Sequence, residues 1–334
     1  MIFRKIINQW HLADYAMYKY ITTKNYIRKG FPFINRYLLG HIDSFLATDP
    51  SERLRHPPIF FLGAPRSGST LAVQVITDAL DVGYISNRHC QWFGAPALAE
   101  KLFHPTRHRP VSDYRSQHGV TEGWHAPAEC GEWWYRFFRR KPPYILLDEV
   151  DPQKMRAFRC SVESLTNALD RPILFKNLYA SLRIQAIAHY LPESLFIVIH
   201  RNEVDNGHSL LEARDRVFGN YQKWWSIEPP EIELLKRLPA YEQVIEQIRH
   251  TYRTIDSDMK LAKIDRKRRM DFTYEDFCDS PASIVESVHS FLGENGCQVK
   301  SRDILLPESF ARRQEVRIDK NLYDSLYRYA AGKE

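Results

Sequence analysis

The sequence predicts an α/β fold: a central parallel sheet with helices on both faces, preceded by a helical arm. Three observations carry this. Short, wholly apolar runs recur at Ile59–Leu62, Ile173–Phe175 and Leu195–Ile199, and a strand without polar alternation must be covered on both faces, as parallel strands are. The intervals between them show helical spacing of apolar residues, which is what crossover connections require. Finally, 334 residues with 44% hydrophobic and 26% charged content are globular values that exclude disordered, fibrous and coiled-coil chains.

Taken in order, residues 1–56 form the arm. Ile2, Phe3, Ile6, Ile7 and Trp10 recur at helical spacing, and nine Lys/Arg stand against four Asp/Glu. Such a stripe suits either the core of the main domain or a membrane surface, so peripheral membrane contact stays open beside packing. Pro57-Pro58 ends the arm, and residues 57–334 form the α/β domain. The run Ile59–Leu62 leads through a Gly/Ser-rich loop into a helix ending near Leu80. Residues 81–170 are irregular and rich in Trp, His, Pro and Arg, as expected of an insertion that carries specificity at the carboxyl ends of strands. Ile173–Phe175 precedes a helix from about Ala180 to Tyr190, and Leu195–Ile199 precedes one from Glu203 to Arg216. Arg269–Tyr274 reads as a further strand. After it, Ser280 and Pro281 open a helix to Leu292, proline being well placed at a first helical position. The expected sheet has about five strands, the usual size for this architecture.

Several classes are excluded. No apolar run approaches the roughly 18 residues of a membrane span, and Arg4 and Lys5 interrupt the N-terminal apolar stretch where a signal peptide needs continuity. A cytoplasmic protein is expected. The five cysteines are scattered without CxxC or HExxH spacing, so reduced thiols are expected and no metal site. A net charge of +6, from 47 basic and 41 acidic residues, favours an anionic partner without choosing one. The basic run Lys263, Arg266, Lys267, Arg268, Arg269 reads as a solvated face, not a nucleic-acid surface.

Chemistry concentrates at Gly63-Ala64-Pro65-Arg66-Ser67-Gly68-Ser69-Thr70. The spacing is that of a P-loop, but Ser69 stands where a nucleoside triphosphatase keeps its lysine. Backbone N–H groups, a helix N-terminus, the hydroxyls of Ser67, Ser69 and Thr70 and the Arg66 cation remain, with Gly68 allowing close approach. Such a loop suits a shorter anion than a triphosphate.

This loop resembles the 5′-phosphosulfate loop of sulfotransferases. A second stretch supports the likeness: Leu195–His200, then Arg201, with Ser209 eight residues later, is similar to the family's 3′-phosphate motif. A third, Phe272-Thr273-Tyr274-Glu275-Asp276-Phe277 with Phe291-Leu292-Gly293 after it, is similar to a family segment whose tyrosine lies near the adenine. The resemblance implies a P-loop sulfotransferase-like fold and 3′-phosphoadenosine 5′-phosphosulfate (PAPS) as co-substrate. It places Arg66, Ser67, Gly68, Ser69, Thr70, Arg201, Ser209 and Tyr274 around PAPS and needs no metal. The turn after the arginine reads Arg201-Asn202-Glu203 instead of the RDP-like form, and a basic Gly-rich loop near the C-terminus is missing from the sequence.

The resemblance also implies that Lys176, closing its strand, is the second cation. The histidine base of one subgroup would fall at Leu178, and the glutamate of another has no counterpart in Tyr84–His89. Candidate bases are therefore His89 and Glu129, with the neighbouring Glu122, His118 and His125 staying open beside them. Glu129 lies in Pro127-Ala128-Glu129-Cys130-Gly131-Glu132-Trp133-Trp134, which resembles a pattern of bacterial sulfotransferase-like proteins. A carboxylate among tryptophans becomes a stronger base through desolvation. The acceptor is expected to be a hydroxyl-bearing saccharide or glycolipid, because Trp92, Trp124, Trp133 and Trp134 offer flat apolar faces and Arg136, Arg139, Arg140 and Lys141 flank them. Two other readings are a P-loop kinase or NTPase, against which Ser69 stands, and an inactive sulfotransferase homologue, which Leu178 permits.

Overall fold

The structure, a computed structural model, describes residues 35, 39–41, 54–106, 110–115, 121–312 and 315–332. Most of the arm, including its apolar stripe, lies outside the described residues. Two described points of it touch the domain. Asn35, fully buried, donates to the Gln91 carbonyl and accepts from Gly94 N–H, both at 3.0 Å; Arg136 donates to the Gly40 carbonyl at 2.9 Å.

Five strands, β1 (Ile59–Gly63), β2 (Gly83–Tyr84), β3 (Ile173–Lys176), β4 (Leu195–His200) and β5 (Arg269–Thr273), form one sheet in the order β2-β3-β1-β4-β5. Every pairing is parallel. The apolar runs explain the sandwich. Along β1, Phe60 and Leu62 join one core and Ile59 and Phe61 the other, because successive side chains leave a strand on opposite faces. The Ile59 face is covered by helix α1 (Ser69–Ala79). On the Phe60 face lie α2 (Asn87–Gln91), α3 (Pro96–Phe103), α4 (Gly131–Trp134), α5 (Pro152–Leu169) and α6 (Ile184–Tyr190). After β4 come α7 (Glu203–Phe218), α8 (Ile232–Leu235) and α9 (Ala240–Leu261), and after β5 α10 (Tyr274–Asp279), α11 (Pro281–Glu294) and α12 (Lys320–Ala330). α11 returns to the Ile59 face, while α7, α9 and α12 build a third core beside the sheet.

Strand β1 pairs with β3 on one side and β4 on the other, Phe61 opposite Lys176 and Gly63 opposite Ile199. The carboxyl ends of three strands therefore meet at the point where the chain reverses direction across the sheet, the usual crevice of open α/β folds. Four strands match the sequence expectation. β2 is only two residues long and leaves no periodic pattern. The helix expected from Ala180 starts later, at Ile184, after a 3₁₀ turn over Leu178–Leu182. Tyr274 opens α10 instead of closing β5, since the Thr273 hydroxyl accepts from Asp276 N–H and caps the helix.

The aromatic, basic acceptor surface expected within residues 81–170 needs correction. Trp133 and Trp134 are 0% and 1% exposed and pack on Phe60, Phe158 and Phe175. They are core. The basic residues after them are occupied: Arg139 pairs with Glu149, Arg140 with Glu132 and Lys141 with Glu228, while Arg136 spends its guanidinium on the carbonyls of Phe93 and Gly40.

Candidate active site

The loop after β1 turns by placing two residues in the left-handed region, Arg66 at φ 65° and Gly68 at φ 92°. For arginine this conformation is strained and persists only where neighbours hold it. Arg201, just past β4, does so: its Nη1 donates to the Arg66 carbonyl at 2.8 Å. The Arg66 Nε in turn donates to Ser209 Oγ, at 3.1 Å, on the second turn of α7. The structure thus links Arg201 and Ser209, the two residues that the resemblance assigns to the 3′-phosphate, through Arg66 of the loop.

Tyr274 completes this side. Its ring covers Gly68, where an added Cβ would lie 2.2 Å from Cδ2, and the Arg201 guanidinium sits 4.7 Å from its ring centre. Burial, helped by the Cys278 thiol, pushes the Tyr274 phenol up to about 12, so it acts as a neutral donor. We expect Gly68→Ala to displace this ring and weaken 3′,5′-ADP binding more than tenfold, while the folded core survives because the clash is confined to loop and ring. Calorimetric titration checks this, and wild-type affinity would remove Tyr274 from the nucleotide side.

The residues present fit a phosphate-bearing ligand on observations of their own. Ser67 Oγ and Arg201 Nε are buried without a hydrogen-bond partner, and buried polar groups left open cost free energy unless something fills them. Ser69 Oγ and Thr70 Oγ1 belong to the first turn of α1, whose N-terminus opens on the same loop. Three supporting residues escaped sequence reasoning. Ser181 Oγ accepts from Gly63 N–H at 3.2 Å, Tyr252 Oη donates to the Ile199 carbonyl at 2.7 Å, and Asn206 is fully buried with neither amide atom bonded, three residues before Ser209 and so on its face of α7. Their separations from the loop, 118 residues for Ser181, left no local signal.

On the other side of β1, Lys176 Nζ meets Glu129 Oε1 at 3.1 Å. The lysine side chain is 2% exposed and the glutamate 34%, so the cation is held inside and the carboxylate faces the opening. Asn177 anchors the glutamate, its Nδ2 donating to the Glu129 carbonyl at 3.2 Å. Cys130 then turns through φ 49° into α4, whose buried tryptophans fix the segment.

His89 is not brought to this pair, and the expectation of a base there is corrected. It is fully buried. Its Nδ1 accepts from Ser86 N–H at 3.0 Å within a capping box, which places the ring proton on Nε2, 3.1 Å from Glu100 Oε2. Both nitrogens are spent on holding α2 against α3.

Among the described residues no cluster of His, Cys, Asp or Glu could hold a metal ion, and no helix is long and apolar enough to cross a membrane.

Fold and site together define an α/β protein with a phosphate-loop turn at the crevice of its sheet and an acid–cation pair beside it. A family model described as the sulfotransferase family matches residues 57–296, and the chain belongs to that family. Its structure is similar to that of sulfotransferase STF9 from Mycobacterium avium, at 14% identity over 90% of this chain and 72% of that one, with a TM-score of 0.50. It is also similar to sulfotransferase STF1 from Mycobacterium tuberculosis, at 14% identity over 80% and 76% of the two chains and a TM-score of 0.49. No curated protein is a significant match.

Proposed function

We propose that this sulfotransferase-family enzyme transfers a sulfuryl group from PAPS to a hydroxyl of a saccharide or glycolipid. The observation that carries the reading is the Lys176–Glu129 pair at the carboxyl end of the strand beside the phosphate loop. PAPS supplies the sulfuryl group, which passes in line from a phosphate oxygen to the acceptor oxygen.

On the nucleotide side, Arg66, Arg201 and Ser209 grip the 3′-phosphate. Ser67, Gly68, Ser69 and Thr70 present N–H groups and hydroxyls to the 5′ group, and Tyr274 lies along the base. On the acceptor side, Glu129 takes the hydroxyl proton as the new bond forms. Lys176, released from Glu129 as the acceptor enters, neutralises charge on the departing oxygen; in its dry position that charge acts with little screening. The basic, apolar composition of residues 1–56 supports peripheral contact with the cytoplasmic face of a membrane, where a glycolipid would be met.

Arg201→Ala is expected to weaken 3′,5′-ADP binding by about 1.5–3 kcal/mol, the range of a charge-assisted contact. The affinity for adenosine 5′-phosphate, without a 3′-phosphate, should change less. Equal losses for both nucleotides would mean that Arg201 only supports the loop. The reading as a whole is tested by turnover of labelled PAPS against glycans, glycolipids and phenols, following the gain of one SO₃ by mass spectrometry. No transfer to any acceptor, with ATP bound more tightly than 3′,5′-ADP, would overturn it.

A further inference from the structure

With Trp133 and Trp134 in the core, the exposed aromatic surface of the insertion lies elsewhere. Trp124 is 48% exposed and Phe103 37%. Between them stands Arg88, its guanidinium 4.9 Å from the Phe103 ring centre and 5.1 Å from that of Trp124. Trp92 backs Phe103 at 5.5 Å. Arg88 makes one side-chain hydrogen bond, from Nη1 to Gln91 Oε1 at 3.1 Å; its Nε is buried with no partner, and among the described residues no carboxylate pairs with it. A cation stacked on two rings is stripped of water on its faces, and with Nε buried and Nη1 on Gln91 it keeps its Nη2 edge for an anion.

The position is tied to the candidate base. Arg88 N–H donates to the Trp124 carbonyl and Ala128 N–H to the Ile85 carbonyl, both at 2.8 Å, so the segment from Trp124 to Glu129 is laced across the carboxyl end of β2. Five residues span at most about 17 Å, within reach of a short oligosaccharide whose hydroxyl lies at Glu129.

We propose that Arg88, Trp124 and Phe103 form an acceptor subsite for an acidic saccharide, the aromatic rings taking the sugar face and Arg88 its carboxylate. This deepens the saccharide reading above and rests on it. The occupant follows from charge complementarity: the platform pairs apolar faces with a cation that no carboxylate of the described residues engages.

The test is calorimetric titration of the full chain, without nucleotide, using a glucuronate-containing tetrasaccharide and its carboxyl-reduced neutral form. The acidic form is expected to bind about tenfold more tightly, as one charge-assisted contact allows. Arg88→Gln should abolish that preference and leave the neutral form unchanged; Trp124→Ala should weaken both. Unchanged 3′,5′-ADP affinity in both variants serves as the folding control. Equal binding of the two sugars, a preference that survives Arg88→Gln, or no binding of either would overturn the proposal. So would binding of anionic vesicles, lost in Trp124→Ala, without affinity for either sugar. Because the donor is absent from this titration, an intact acidic preference in a protein that transfers no sulfuryl group would defeat the functional reading and leave the subsite standing.

Discussion

Glu129→Gln should lower turnover by about two to four orders of magnitude, the range for loss of a positioned general base, with 3′,5′-ADP affinity within about twofold of wild type. The amide keeps the shape of the side chain and can still accept from Lys176, so what is lost is the capacity to take a proton. Because Lys176 is only 2% exposed, removing its partner's charge leaves a buried cation less compensated and should cost up to about 3–5 kcal/mol of stability, so turnover is read per folded molecule. None of the grip residues Arg66, Arg201 and Ser209 bonds to Glu129, which is why nucleotide binding should be spared. Single-turnover measurement separates the cases. A wild-type rate would remove Glu129 as the base; a loss matched by an equal loss of nucleotide affinity would mean the residue shapes the site without moving a proton.

Trp133→Ala is expected to destabilise the fold by about 3–5 kcal/mol, as emptying a large aromatic site does. Its indole stacks on Phe175 at 5.4 Å and 11° and meets Trp134, Phe137 and Phe158 edge-on or tilted. Its Nε1 donates to Ser161 at 3.0 Å. Phe175 immediately precedes Lys176, and Trp133 lies four residues after Glu129, so one side chain braces both members of the pair. Turnover per folded molecule should therefore fall as well. Trp133→Phe should recover most of the packing but not the bond to Ser161, worth about 1 kcal/mol. Urea denaturation with activity measured below the transition checks both effects, and a cost under about 1 kcal/mol would show that the aromatic cluster repacks without it.

Strand β1, the loop after it and β4 were readable because a doubly buried strand has an unmistakable apolar run and the loop residues follow within eight positions. Tyr274 could be placed beside the loop only through resemblance; that its ring lies on Gly68 depends on β4 and β5 pairing. For His89 a warning was present in the Ser86-x-x-His89 spacing of a capping box, but its second partner, Glu100, belongs to another helix. Composition misled most over the tryptophans. An aromatic-rich stretch reads alike whether it faces a sugar or a core, and the choice between them is made by α5 and β3 closing over Trp133 and Trp134. The ion pairs that consume Arg139, Arg140 and Lys141 reach partners 10, 8 and 87 residues away, none at the three- or four-residue spacing of a helix pair.

The strand order has a bearing on how such enzymes diversify. Everything proposed to touch the acceptor, from Arg88 to Lys176, is encoded in the chain between β1 and the end of β3, while the 3′-phosphate grip and the tyrosine over the loop come mostly from β4 onward. Because Trp133, Trp134, Phe137 and Phe138 of this stretch are themselves core, acceptor choice is free to drift only at its exposed positions, Arg88 and Trp124 among them, and β1 keeps such changes apart from the nucleotide half of the sheet.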